Sequence, residues 1–142
     1  MSRLIPLIVL LAPVAVAGCT SMVHESEARA LEKTLFTYGN AIRWGDIQQA
    51  LPFIDPETLK QHPVTDLDLK RYKQVRFVSY VEQNPIPAGP HQVRQVVKIS
   101  VLNVNTQAER DIIDNQLWRY DESTRHWHNV SGLPNITQSN AD

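Results

Sequence analysis

The hydrophobic pattern of this chain changes period once. Between residues 26 and 62 apolar side chains recur at steps of three and four; from residue 75 to 131 they alternate. A chain organised this way segregates its helices from its strands, and strands joined by short turns pair antiparallel. Ser26 reads as a helix N-cap, with Glu27 in the first turn where a carboxylate suits the helix dipole. Ala28, Leu31, Leu35, Tyr38 and Ile42 form one stripe that runs to about Trp44, and Gly45 stops the helix. Asp46 caps a second helix with Ile47, Ala50, Leu51 and Ile54 as its apolar positions, and Pro52 kinks or ends it. Asp55-Pro56-Glu57 starts a third, short helix that His62-Pro63 breaks.

The alternating half predicts four strands. In the first, Val75, Phe77, Ser79 and Val81 share one face, and Arg76, Val78, Tyr80 and Glu82 the other. Residues 84–90, with three prolines, form a connection. The second strand, 91–104, sets Val93, Val97, Ile99 and Val101 against Val96, Leu102 and Val104. The third, 111–120, sets Ile113 and Leu117 against Ile112, Trp118 and Tyr120, and a short fourth covers 126–131. The expected fold is α+β: N-terminal helices packed on a curved antiparallel sheet of about four strands, a cone-like roll over 26–132, followed by a flexible tail over 133–142. Helices can cover one face of such a sheet. The other, with Val78, Tyr80, Val96, Leu102, Ile112, Trp118 and Tyr120 assigned to it, needs a second cover. Tyr80, Val96, Trp118 and Tyr120 are therefore candidate interface residues, for a homodimer or a partner protein. A sheet that curls under its own loops is the alternative.

The N-terminus carries an address. Arg3 is a short positive region, residues 4–16 are apolar, and small residues follow, which is the pattern of a secretory signal peptide over 1–18. The run is shorter than the ~20 apolar residues a spanning helix needs, and Pro6 and Pro13 interrupt it. Val16-Ala17-Gly18-Cys19 resembles the lipobox of bacterial lipoproteins and holds the only cysteine of the chain. A thiolate is a good nucleophile, and Cys19 can carry a diacylglyceryl group as a thioether. The resemblance implies cleavage before Cys19 and acylation of its amino group, palmitate included. Residues 19–25 then form the lipidated end and a short tether. One acyl chain holds a protein weakly and several hold it firmly. Thr20 after the cysteine, where aspartate usually retains such proteins in the inner membrane, favours an outer-membrane anchor facing the periplasm. The other possibility is an ordinary signal peptide cut after Ala15 or Ala17, leaving Cys19 a free thiol.

Composition narrows the chemistry. The chain has 14 Lys+Arg against 15 Asp+Glu, and losing Arg3 with the leader makes the rest one charge more negative. Nucleic-acid binding wants a basic domain or stripe, so none is expected. Lys70, Arg71, Lys73 and Arg76 are a local basic cluster, read as a solvated strand start or a contact for anionic lipid or an acidic partner. With Cys19 acylated no cysteine is left for a disulfide, and a domain of roughly 120 residues must be held by packing. His126 and His128 share a strand face, but two histidines are too few for a metal site, and no cofactor motif is present.

A long first helix followed by "WGDIQQALPFIDPE", and an end reading "QLWRYDESTRHWHNVSG", resemble the opening and the last hairpin of nuclear-transport-factor-two-like domains. The resemblance covers residues 26–131 and lies in pattern and element order. The small hairpin that such domains usually place between the second and third helices has little room here. The likeness implies pairing through the sheet. Its enzymes, such as ketosteroid isomerases and polyketide cyclases, use a pocket acid as base and a tyrosine or second acid to polarise a carbonyl. Asp111, Asp114 and Tyr80 are the candidates on the sheet. Asp111, alternating with Ile113, could face a pocket with a raised pKa or lie exposed beside Arg110. The expected role is a membrane-anchored envelope lipoprotein acting as a protein-binding or assembly module. The alternative is a small apolar-ligand binder or isomerase-like enzyme using the cone.

Overall fold

The computed structural model describes residues 19–138, with side chains from Ser26 onward. The expected signal peptide at 1–18, the side chain of Cys19 and the last tail residues, 139–142, lie outside the described residues. Among the described residues four α-helices precede five strands, and the helices pack on a strongly curled antiparallel sheet, an α+β half-barrel.

Helix α1 spans Cys19–Arg43. Within the described residues it runs past the expected cap at Ser26 back to Cys19, because residues 20–25 contain neither Gly nor Pro and nothing there stops the helix from extending backwards. The expected tether is thus helical. Tyr38, Ala41 and Ile42 are buried, whereas the two ends assigned to the stripe, Ala28 and Trp44, are exposed. The helix closes on Gly45 at φ 71°, with the Gly45 N–H donating to the Ile42 carbonyl and the Asp46 N–H to the Ala41 carbonyl, each at 2.9 Å. This pair of bonds is a Schellman stop, and its left-handed residue favours glycine. Asp46 caps α2 (Ile47–Ala50) by accepting from the Gln49 N–H at 3.1 Å. The chain then tightens into a 3₁₀ turn, Leu51–Phe53, at Pro52. Asp55 caps α3 (Pro56–Gln61) by accepting from the Thr58 N–H at 3.2 Å.

Helix α4 (Asp66–Tyr72) is an element the periodicity did not predict. It is capped by a reciprocal box: Thr65 Oγ1 accepts from the Asp68 N–H at 3.2 Å and the Asp68 carboxylate from the Thr65 N–H at 3.0 Å. Of the basic cluster expected at a strand start, Lys70 and Arg71 are in its last turn, Lys73 is its C-cap, and Arg76 is the second residue of the strand that follows.

The sheet runs β1-β3-β4-β5, with β2 also on β3. Its strands are β1 (Val75–Glu82), β2 (Ile86–Gly89), β3 (Gln92–Asn103), β4 (Glu109–Asp121) and β5 (His126–Asn129). β2 lies in the proline-rich connection. Pro87 pairs with Val93 at the sheet edge, beside a shift in register, where a residue without an N–H costs no ladder bond. The register decides which faces coincide. Val97 pairs with Asp114 and Ile99 with Ile112, so the odd residues of β3 share the concave face with the even residues of β4. A bulge between Phe77 and Ser79 shifts the phase of β1: Phe77 pairs with Val101 and Tyr80 with Ile99, both inward, while Val78 is exposed.

The expected second apolar face is therefore redistributed. Ile112 and Trp118 are buried on the concave face under the helices, and Tyr80 and Tyr120 pack against the same core. Tyr38 meets Trp118 edge-on at 5.1 Å. Val96 and Leu102 keep the convex face, where Ile113 and Val81 are exposed. The start of the expected tail packs on the domain. Pro134 and Ile136 are buried, and the Pro134 carbonyl accepts the Tyr72 hydroxyl at 2.7 Å.

Candidate functional site

The concave face carries a chain of polar groups among its apolar ones. Asp114 and Gln116 are successive inward residues of β4, and Tyr80 faces them from β1 across β3. The Gln116 amide donates to the Asp114 carboxylate at 2.7 Å and to the Tyr80 hydroxyl at 3.1 Å. Its carbonyl oxygen accepts from Trp118 Nε1 at 3.0 Å. Gln116 is fully buried and thus organises three other polar groups. Burial pushes the Asp114 carboxyl up to about 6, opposed in part by the Gln116 bond. Burial also raises the Tyr80 hydroxyl, against the pull of its Gln116 bond, and raises Tyr72 and Tyr38, with Asp114 adding to the shift in all three. Among the described residues no group meets hydrogen-bond geometry with the buried Tyr38 hydroxyl, and the polar Asn129 side chain beside it offsets part of the rise.

Asp111, the expected pocket acid, is on the convex face. Lys98 Nζ lies 2.7 Å from its carboxylate and Ser100 Oγ donates to it at 2.6 Å, with Ser79 donating to Ser100 at 2.9 Å. The Lys98 and Ser100 bonds hold its carboxyl below the usual range, the opposite of a raised pocket acid. The structure therefore brings Asp114 and Tyr80 together and leaves Asp111 outside. Alternation within one strand could not show this, because it carries no phase relative to the neighbouring strand. Gln116 was missed altogether: a glutamine in a strand offers no signal until its buried partners are known.

Of the candidate interface residues, Trp118 is fully buried in the core, and Tyr80 and Tyr120 are half-buried against it; Val96 alone is on the convex face. His126 and His128 lie outward on β5, and no group of three His, Cys, Asp or Glu suited to a metal exists among the described residues. The outward surface of β5 is tied to the helices by Asp55, whose carboxylate takes Arg119 Nη2 at 2.6 Å and whose N–H donates to the Asn129 carbonyl at 3.0 Å. Helix α1 is tied on by Glu27, which meets His91 Nδ1 at 3.1 Å and accepts Trp127 Nε1 at its carbonyl at 3.1 Å.

The larger clefts lie elsewhere on the surface. A groove of about 800 Å³ follows Asp55, His91, Arg119 and Tyr120, and a cleft of about 820 Å³ opens between the end of α1, α4 and β1. Neither is lined by Asp114, Tyr80 or Asp111. Among the described residues no helix is long and apolar enough to cross a membrane. The architecture is an α+β roll of helices over one curled sheet. No family model, curated protein or solved structure matches the chain.

Proposed function

We propose that this chain is an exported lipoprotein, anchored by acyl chains on Cys19 at the periplasmic face of an outer membrane. Its nuclear-transport-factor-two-like domain works there as a protein-binding or assembly module. The carrying observation is the sole cysteine, set behind small residues at the end of an apolar run. The geometry that follows it is consistent with the reading. α1 is helical from Cys19 onward, and Glu27, eight residues on, is already buried in the domain, a helical distance of about 12 Å. A domain that begins this close to its anchor is held against the membrane. The partner side of the reading rests on the convex face, where Val81 and Ile113 stay exposed, with Val96 and Leu102 half-buried beside them.

Feeding cells an alkyne analogue of palmitate tests the anchor. The wild type takes the label and sediments with membranes. Cys19→Ser takes none and leaves the membrane fraction; unchanged fractionation would defeat the proposal. For the convex face, Val81→Glu combined with Ile113→Glu removes in-cell crosslinks to any partner while the domain stays folded. Persisting crosslinks would exclude that face.

One observation favours a second reading, a small apolar-ligand binder or isomerase-like enzyme. Asp114, with a carboxyl near 6, sits beside Tyr80 on the concave face. Such a ligand shifts the Asp114 carboxyl resonance on binding, and a resonance that no ligand moves counts against it.

A further inference from the structure

The cleft of about 820 Å³ is walled by the end of α1, the start of α2, α4 and the bulged start of β1. Its size falls within the roughly 300–1,000 Å³ typical of small-molecule sites. Ile47 and Phe77, both buried, and Leu69 and Tyr72, half-buried, form the apolar lining. Trp44 stands at the rim, 79 % exposed, although it is the largest apolar side chain of the cleft. The reason is local. The helix ends at Arg43, and the Schellman turn at Gly45 makes Trp44 the residue just past that end, where it stands clear of the buried core stripe.

Three cations share this cleft: Arg43, Lys73 and Arg76. Arg43 lies 5.9 Å over the Trp44 ring. None of the three has a carboxylate partner within ion-pair distance among the described residues, unlike Arg71, Arg119 and Lys98. Asp46, the carboxylate of the cleft, is occupied by the α2 cap and by Gln49 Nε2 at 2.7 Å. Like charges around one apolar concavity raise its positive potential, and an anion entering it relieves their repulsion. An aromatic and aliphatic floor with uncompensated cations at the edge complements a molecule that is apolar along its length and anionic at one end.

We propose that this cleft is a binding site for a single-chain lipid anion. The chain lies on Ile47, Leu69, Tyr72 and Phe77 beneath Trp44, and the acidic headgroup meets Arg43, Lys73 and Arg76. The site shares no residue with the Asp114, Gln116 and Tyr80 group of the concave face and does not include Cys19, so it does not depend on either role.

Trp44 is a built-in reporter, because Trp118 and Trp127 are buried in the core. The full chain, held in phosphatidylcholine nanodiscs, is titrated with decanoate and with decyl phosphate while tryptophan emission is followed. Decanol supplies the same chain without charge, and discs containing phosphatidylglycerol supply an anionic surface without a free ligand. The expected result is a saturable blue shift with decanoate, decyl phosphate or both, weak with decanol and absent in Trp44→Phe. Whichever headgroup binds tighter names the source. Lys73→Glu with Arg76→Glu weakens binding at least about a hundredfold, since each charged hydrogen bond lost is worth roughly tenfold or more. Arg94→Glu, an exposed cation outside the cleft, leaves binding unchanged. Equal response to decanol, response to anionic discs alone, no response, or undiminished binding in the double variant would each overturn the proposal. Lys73→Gln with Arg76→Gln, which adds no repulsive charge, shows the same weakening if the cations bind the headgroup.

Discussion

At the scale of single residues, the concave face holds its most consequential group in Asp114. Its carboxyl titrates near 6 in the folded chain, above its ordinary value of 3.8, because burial disfavours the charged form. The folded state therefore binds a proton more readily than the unfolded state between pH 4 and 6. Its contribution to stability is complete below about pH 4 and is lost as the pH rises through 6. At pH 7 the carboxylate is buried at a cost of up to about 3 kcal/mol, from two pKa units at 1.36 kcal/mol each. Asp114→Asn removes that cost while keeping an acceptor for Gln116. Urea denaturation should show it more stable than wild type by about 1–3 kcal/mol at pH 7, with that gap reduced to roughly a third at pH 4.5. Equal stability at both values would mean that Asp114 is solvated in the fold. Asp68, Asp111 and Asp121 are shifted the other way by their hydrogen bonds, so their contributions fade only in stronger acid and do not obscure this window.

At the scale of elements, capping aspartates and glycines were legible because their chemistry is local. Gly45, Asp46 and Asp55 act within three or four residues of themselves, and the helices around them end and start where those residues say. The elements that escaped lack a hydrophobic period. α4 is seven residues long and β2 four, one rich in charge and the other in proline. Each is held by a capping box or by pairing to β3 rather than by an apolar stripe. Asp55 shows how one residue joins elements: it caps α3, bonds Arg119 of β4 and is itself buried. Asp55→Ala should cost about 2 kcal/mol or more in denaturant, combining a lost cap with an arginine left unpaired. Asp55→Asn, which keeps the cap, should lose less. Equal losses would assign the whole effect to the ion pair.

At the scale of the whole molecule, the curled sheet folds its aromatic residues inward. Trp118 packs on Tyr38 of α1 and donates to Gln116 within its own strand, so it belongs to the layer between helices and sheet. Trp118→Ala should destabilise the fold by about 3–5 kcal/mol, a large part of the 5–15 kcal/mol typical of a domain. Calorimetry and denaturant titration measure it, and a change in self-association without loss of stability would contradict this placement. Sequence by itself determined the class of fold, since one change of period separates helices from strands and short turns force antiparallel pairing. It also determined the helix boundaries at Gly45, Asp46 and Asp55, which are short-range chemistry. Only the tertiary structure decided which strand faces meet. Alternation within a strand has two equivalent phases, and the register of β3 on β4 and the bulge in β1 choose between them. That choice put Trp118, Tyr80 and Asp114 inside, left Asp111 outside, and gathered Arg43, Lys73 and Arg76 from three elements around one cleft.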